Sequence, residues 1–167
     1  VELQIRPLES KDENALLGFF KKLPEPELMF FKHRVTDPEV IKDWCANIDL
    51  GTNLPLLAIE NGDIVAVATL HQKLGGWKRH IGRISASVLT KYRQKGIAGQ
   101  LVQALVNVAR MSGLSKVEAE FIGMQVREKI QMILLTDMKM KKKYWVMKLL
   151  NSIKKLKKKW KNCGKNS

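Results

Sequence analysis

Residues 81–122 read, in order, IGRISASVL, TKYRQKG, IAGQLVQALVNVARMSGLS and KVEAEFI. The first and last runs are apolar and β-prone. Between them lie a basic turn with a glycine, then Leu101, Leu105, Val108 and Ala109 along one helical stripe, with Gly113 as a stop. A strand, a helix and a second strand within about 40 residues predict a βαβ unit. Such a unit crosses over right-handed and leaves its two strands parallel. That leaves few topologies for the rest of the chain.

The upstream sequence supplies the remaining layers. VELQIRP alternates and ends at Pro7, as a short strand does. Ser10, with Glu13 three residues on, predicts a capping-box start for a helix that ends before Pro24. Thr36 or Asp37 caps a second helix, with Pro38 in its first turn and Val40, Ile41, Trp44 and Ile48 on one face. LPLLAIENGDIVAVATLHQ is two apolar runs around Asn61-Gly62, a pair that favours the positive φ values of a tight hairpin. The continuous hydrophobicity of both runs predicts a sheet covered on both faces. A chain of 167 residues with 45% hydrophobic content suits one such domain.

The glycine turn has a physical use. A helix start exposes unpaired backbone N–H groups and the positive end of the peptide dipoles. Gly96, Ala98 and Gly99 present almost no side chain there, and Arg93 and Lys95 add positive charge. An anion such as a pyrophosphate can reach those donors directly. The glycine-lysine-serine/threonine ending of a P-loop is missing, and so is the third glycine of a dinucleotide fingerprint. The other reading of the same residues is a helix start kept small to pack closely on the sheet.

SVLTKYRQKGIAGQLV resembles the acyl-CoA-binding motif of the GCN5-related N-acetyltransferase (GNAT) superfamily, [RQ]-x-x-G-x-[GA], which falls here on Arg93, Gly96 and Ala98. The order of elements from Val1 to about Gln125 agrees with that family. The resemblance implies a single α/β domain with a mixed, mostly antiparallel sheet and helices on both faces. Its central parallel strands would splay at the site of acetyl-CoA, the co-substrate. Backbone groups at Ser87 and Val88 would hold the pantetheine arm. The N–H groups of Gln94, Lys95, Gly96, Ile97, Ala98 and Gly99 would hold the pyrophosphate. The implied activity is transfer of an acetyl group to a primary amine, without a metal.

An alkyl amine has a pKa near ~10.4 and must lose protons to attack. The developing oxyanion needs a fixed donor, and the backbone N–H of Val88 is the candidate. HIGRISASV lacks the glutamate that many relatives carry on this strand, and Arg83 stands about where it is often seen. EFIGMQ aligns with the E-V-x-x-S-N stretch of ribosomal-protein alanine acetyltransferases, which makes Glu120 the candidate base. A solvent-facing or lysine-paired carboxylate is the alternative. His71 and His80 flank the turn GGWKRH and are further proton relays or surface residues; Trp77 between them lines a pocket or pins the loop.

Downstream the family pattern lapses. It expects an asparagine, a tyrosine about seven residues later as acid to the leaving thiolate, then Gly-Phe; this chain has Gln125, Met132 and Thr136-Asp137. The charge changes there as well. Residues 1–138 carry 18 basic and 16 acidic side chains, whereas residues 139–167 hold 12 lysines and no acid. The chain therefore reads as a nearly neutral domain, 1–138, followed by a lysine-rich segment, 139–167. In that segment Val146, Leu149, Ile153, Leu156 and Trp160 form one helical seam. A basic amphipathic helix suits an anionic membrane or a nucleic-acid backbone, or simply docks with a solvated lysine face. Cys45 and Cys163 are too few and too far apart for a disulfide framework, so free thiols and a cytoplasmic setting are expected.

Overall fold

In a computed structural model, the described residues are 3–29, 31, 33–122 and 129–133. Six strands, β1 (Gln4–Pro7), β2 (Asn53–Glu60), β3 (Asp63–His71), β4 (Ile81–Val88), β5 (Lys116–Ile122) and β6 (Lys129–Ile133), form one sheet in sequence order. Every neighbouring pair is antiparallel except β4 and β5, which are parallel and joined by α4 (Ile97–Met111). This is the crossover expected of residues 81–122, and β5 spans the predicted KVEAEFI.

The two faces of the sheet are built differently. Ala58, Leu70, Ile84, Ala86 and Val117 pack against Leu101, Leu105, Val106 and Ala109 of α4. Leu57 and Ile64 on the other face pack against Leu16, Phe19 and Phe20 of α1 (Glu13–Lys21) and Ile41 of α3 (Pro38–Ala46). Each cluster removes several large side chains from water, at roughly 1.5–3 kcal/mol apiece. Gly82 is part of the α4 side: a Cβ there would lie 2.7 Å from Leu114 Cδ1 and 3.1 Å from Leu70 Cδ1, so a larger residue requires those leucine side chains to shift.

Local signals resolve as their chemistry requires. Asn61 and Gly62 both have positive φ, +54° and +83°, and turn β2 into β3. Asp37 is the cap of α3 and accepts from the Glu39 N–H at 3.0 Å. Gly113, at φ +77°, ends α4, with Leu114 N–H donating to Ala109 C=O at 3.1 Å across the turn. Between Ala58 and Ile59 the β2–β3 register shifts, and Val65 is the extra residue of the bulge. Its carbonyl accepts from Leu89 N–H at 3.0 Å, which fixes the chain as it leaves β4.

Three expectations are corrected. The capping box is not Ser10 with Glu13: residues Ser10–Asp12 make a 3-10 turn, and Asp12 accepts from Glu9 N–H at 2.8 Å. The reason is Arg6 on β1, whose guanidinium grips both Asp12 oxygens at 2.7 Å and draws the helix start toward the strand. The parallel ladder runs in unbroken register from Ile81 and Lys116 to Ser87 and Ile122. Over these residues the two strands are paired throughout, where the family resemblance implied an opening. Finally, β6 follows β5 at residues 129–133, where no strand was expected. The lysine-rich segment 139–167 and Cys163 lie outside the described residues. No helix among those described is long and apolar enough to cross a membrane.

The Arg6 pair holds the buried Asp12 carboxyl below the usual carboxylate range, chiefly through the side-chain hydrogen bond. A depressed folded pKa stabilises above the unfolded value and is lost as pH falls through the folded one. Asp12→Asn is therefore expected to cost about 1–3 kcal/mol at pH 7. The gap from wild type should close as pH drops below about 4, measured by urea denaturation across pH. An equal gap at every pH would contradict the assignment.

Candidate functional site

The site is built where α4 begins, at the carboxyl end of β4, the place where open α/β sheets leave a crevice. Gly96 caps the helix at φ +80°, and Gln94 two residues earlier has φ +67°, so the turn coils in a region that L side chains rarely enter. The first intrahelical bond is Gln100 N–H to Gly96 C=O, 3.2 Å. The N–H groups of Gly96, Ile97, Ala98 and Gly99 thus have no acceptor within the helix. Ile97 and Ala98 bury their side chains in the core, which leaves only their backbone for a ligand. Lys95 and Lys91 place their Nζ atoms 4.8 and 5.6 Å from the Tyr92 ring centroid, beside the turn.

Arg93 does not stand as free charge. Its Nη2 donates to both Glu27 oxygens at 2.7 Å, and its Nε donates to Val88 C=O at 3.0 Å. Glu27 is buried, on the single turn α2 (Glu25–Leu28). One side chain therefore ties the turn before α4 to the last residue of β4 and to the segment between α1 and α3. Its charge is paired with Glu27, and the same contacts shape the turn.

Beside this end, Ser87 is buried, and among the described residues its Oγ is the one buried side-chain polar atom without a hydrogen-bond partner. Buried hydroxyls are nearly always satisfied, so an orphan at this point fits a groove that takes a polar ligand.

Along β4 the residues alternate. Ile84, Ala86 and Val88 face α4, so Ser85 and Ser87 face the other way. There the ladder lines up Asn53, His71, Arg83, Glu118 and Gln131 in one row across five strands. Pro55, Thr69, Ser85, Glu120 and Lys129 form the next row. His71 and Arg83 are exposed, and Ser85 and Glu118 half-buried, so α1 and α3 do not cover this part of the sheet. It is an open polar shelf leading toward Ser87.

Of the residues singled out in sequence, Ser87, Val88 and the 94–99 turn come together at one end of β4. Glu120 occupies the register position opposite Ser85. Met132 pairs with Val117, at the opposite end of β5 from Ile122, so the position matched to the family's tyrosine is remote from the helix start. Trp77 is 78% exposed, with Lys78 Nζ 4.8 Å from its ring centroid. His80 closes its loop through a backbone carbonyl that accepts from Ser115 N–H at 3.0 Å. Cys45 is buried, and burial pushes its thiol pKa up, away from nucleophilic chemistry. Glu27 and Asn53 escaped notice, since each meets its partner only through long-range pairing.

Glu27→Ala leaves the half-buried Arg93 guanidinium without its carboxylate. It is expected to cost about 2 kcal/mol in urea denaturation. It should also weaken any ligand bound at the 94–99 turn. Unchanged stability would mean that the pair does not hold the turn.

Comparison with known proteins agrees with this geometry. The model of the Acetyltransferase (GNAT) family matches residues 18–125. Among solved structures, the chain is similar to the ribosomal-protein-alanine N-acetyltransferase from Brucella melitensis, at 24% identity over 70% of this chain and 73% of that one, TM-score 0.59. It is also similar to the ribosomal-protein-S5-alanine acetyltransferase from Vibrio fischeri, at 17% identity over 72% and 70%, TM-score 0.61. A third is the PaiA N-acetyltransferase from Thermoplasma acidophilum in complex with coenzyme A, at 12% identity over 72% and 79%, TM-score 0.57. At these identities the likeness is one of fold, while the family match covers well over half of the chain. The chain belongs to the GNAT acetyltransferase family.

Proposed function

We propose that the chain transfers an acetyl group from acetyl-CoA to a primary amine by direct attack in a ternary complex. The observation that carries this reading is the bare helix start: an αL glycine cap followed by N–H groups with no intrahelical acceptor, beside an orphaned buried hydroxyl. Those donors and the positive end of α4 suit the pyrophosphate of the co-substrate. Lys95 adds charge at the rim. Ser87 and Val88 supply polar groups for the pantetheine arm. The same fold in a relative solved with coenzyme A supports the assignment.

The amine approaches over the polar shelf. Bound acetyl-CoA supplies the activated thioester, and the chain orients the nucleophile and moves its protons. The Val88 N–H is the donor we assign to the developing oxyanion. An ammonium ion must shed two protons on its way to an amide: one before attack, one as the C–N bond forms. Glu120 is the carboxylate assigned to draw in the ammonium and take the first. Localisation in the cytoplasm is part of this reading, as is contact of the lysine-rich segment with nucleic acid or anionic membrane.

A second reading has one observation in its favour. Position 132, matched to the family's tyrosine, is a methionine at the far end of β5 and cannot protonate the leaving thiolate. The chain would then bind acetyl-CoA and turn it over slowly or not at all.

Calorimetry should find acetyl-CoA bound at micromolar Kd, and Gly96→Glu should abolish binding by putting a carboxylate where the diphosphate sits. Equal binding by the two proteins would overturn the site. Four amines, ethylamine, spermidine, a lysine peptide and an alanine-starting peptide, with release of free thiol as readout, separate the readings. Thiol release with any of them supports the enzyme; binding without release supports the second reading.

A further inference from the structure

The polar shelf contains a connected chain of side chains. His71 Nδ1 lies 2.6 Å from Asn53 Oδ1, and His71 Nε2 lies 3.2 Å from Ser85 Oγ. The roles along this chain follow from chemistry. Asn53 Nδ2 donates to Thr52 Oγ1 at 3.3 Å, which leaves Oδ1 as acceptor. Thr52 Oγ1 in turn donates to Asp49 Oδ2 at 2.7 Å. An amide oxygen only accepts, so Nδ1 carries the hydrogen and Nε2 of the neutral ring presents a lone pair. Ser85 Oγ–H donates to that lone pair. A hydroxyl, an imidazole and an orienting amide are thus aligned across β4, β3 and β2.

We infer that Ser85 and His71, the latter oriented by Asn53, form the relay that removes the second proton of the attacking amine. The inference rests on the acetyltransferase reading and supplies a group which that reading leaves open. Ser85 lies about 7 Å along β4 from Ser87 on the same sheet face, toward the open shelf. It is half-buried, whereas His71 is exposed. The relay therefore has its hydroxyl end at the approach to the thioester site and its imidazole end in water, as a proton exit requires. Charged groups flank it on both sides: Arg83 is the ladder partner of His71, Glu118 lies beyond on β5, and Asp49 stands behind Thr52.

The step balances as follows. The neutral amine attacks the thioester carbon, the C–N bond forms, and the electron pair of the C–S bond leaves on sulfur. As the nitrogen becomes cationic, it gives a proton to Ser85 Oγ while the Ser85 proton passes to His71 Nε2. The imidazolium releases that proton to solvent, and the thiolate takes one from solvent. Ser85 is then the catalytic residue, and His71 and Asn53 are positioning residues that act through it.

The test uses the full chain and the fastest of the four amines above. His71→Ala should lower kcat by about 100-fold or more, with acetyl-CoA Kd unchanged within about two-fold. Because His71 is exposed, added imidazole should restore part of the rate in His71→Ala and none in Ser85→Ala. Ser85→Thr should retain more activity than Ser85→Ala, and Asn53→Asp more than Asn53→Ala. The relay is overturned if His71→Ala keeps wild-type kcat, or if its loss is indifferent to imidazole. Wild-type protein that binds acetyl-CoA but acetylates none of the four amines removes the transferase reading, and the relay with it. An active wild type with an unaffected His71→Ala removes the relay alone.

Discussion

A helix cannot satisfy its own first N–H groups, and the site depends on where the fold leaves them. Because β4 and β5 are parallel, the chain must travel back along the sheet through α4 before it can lay down β5. The start of α4 is thereby held at the carboxyl end of β4, with its dipole pointing out of the sheet edge. Gly96 in the αL region lets the chain enter the helix without a capping side chain. A serine or aspartate at that position would have filled the donors from within. The sequence withholds the usual cap, and the vacancy becomes a polar surface.

Arg93 makes that surface definite. Its three hydrogen bonds join a turn, a strand end and a helical turn more than sixty residues away in sequence. A half-buried ion pair adds little net stability over apolar packing, but losing one partner is costly, so it selects one geometry. The bulge at Val65 works toward the same end, since its carbonyl holds Leu89 where β4 stops. Two independent anchors thus fix the residues between Val88 and Gly96. The glycine turn is flexible in composition and constrained in place.

What could be read from the chain was what adjacent residues decide. Asn61-Gly62 requires a tight hairpin wherever it occurs, and the stripe from Leu101 to Ala109 requires a helix with one buried side. KVEAEFI was legible because Val117, Ala119 and Phe121 alternate with Glu118 and Glu120. The charge on Arg93 was equally visible, but its partner was not, because Glu27 reaches it only when the segment after α1 folds across the end of β4. Asp12 displaced the expected Ser10 cap for a related reason: Arg6 draws it from a neighbouring strand. Asn53, His71 and Ser85 lie 18 and 14 residues apart in pairs, and only the register of β2, β3 and β4 aligns them. Long-range register is set by the whole sheet, and no local pattern encodes it.

The two faces of the sheet carry opposite duties, and this bears on why the chemistry belongs to one of them. Beneath α4 the face is apolar and closed, with Gly82 small enough for Leu114 to press against the strand. Packing of that kind is stiff, so it holds the strand edge and helix start at fixed separation. On the opposite face α1 and α3 pack over Leu57, Ile59, Ile64 and Val67, while His71 and Arg83 are exposed to water. A proton released on the closed side would have nowhere to go. On the open side, Ser85 and His71 already span the distance from half-buried strand to solvent. In the proposed reaction, the rigid face would fix where the acyl group is presented, and the wet face would provide the path by which the charge of its attacker is removed.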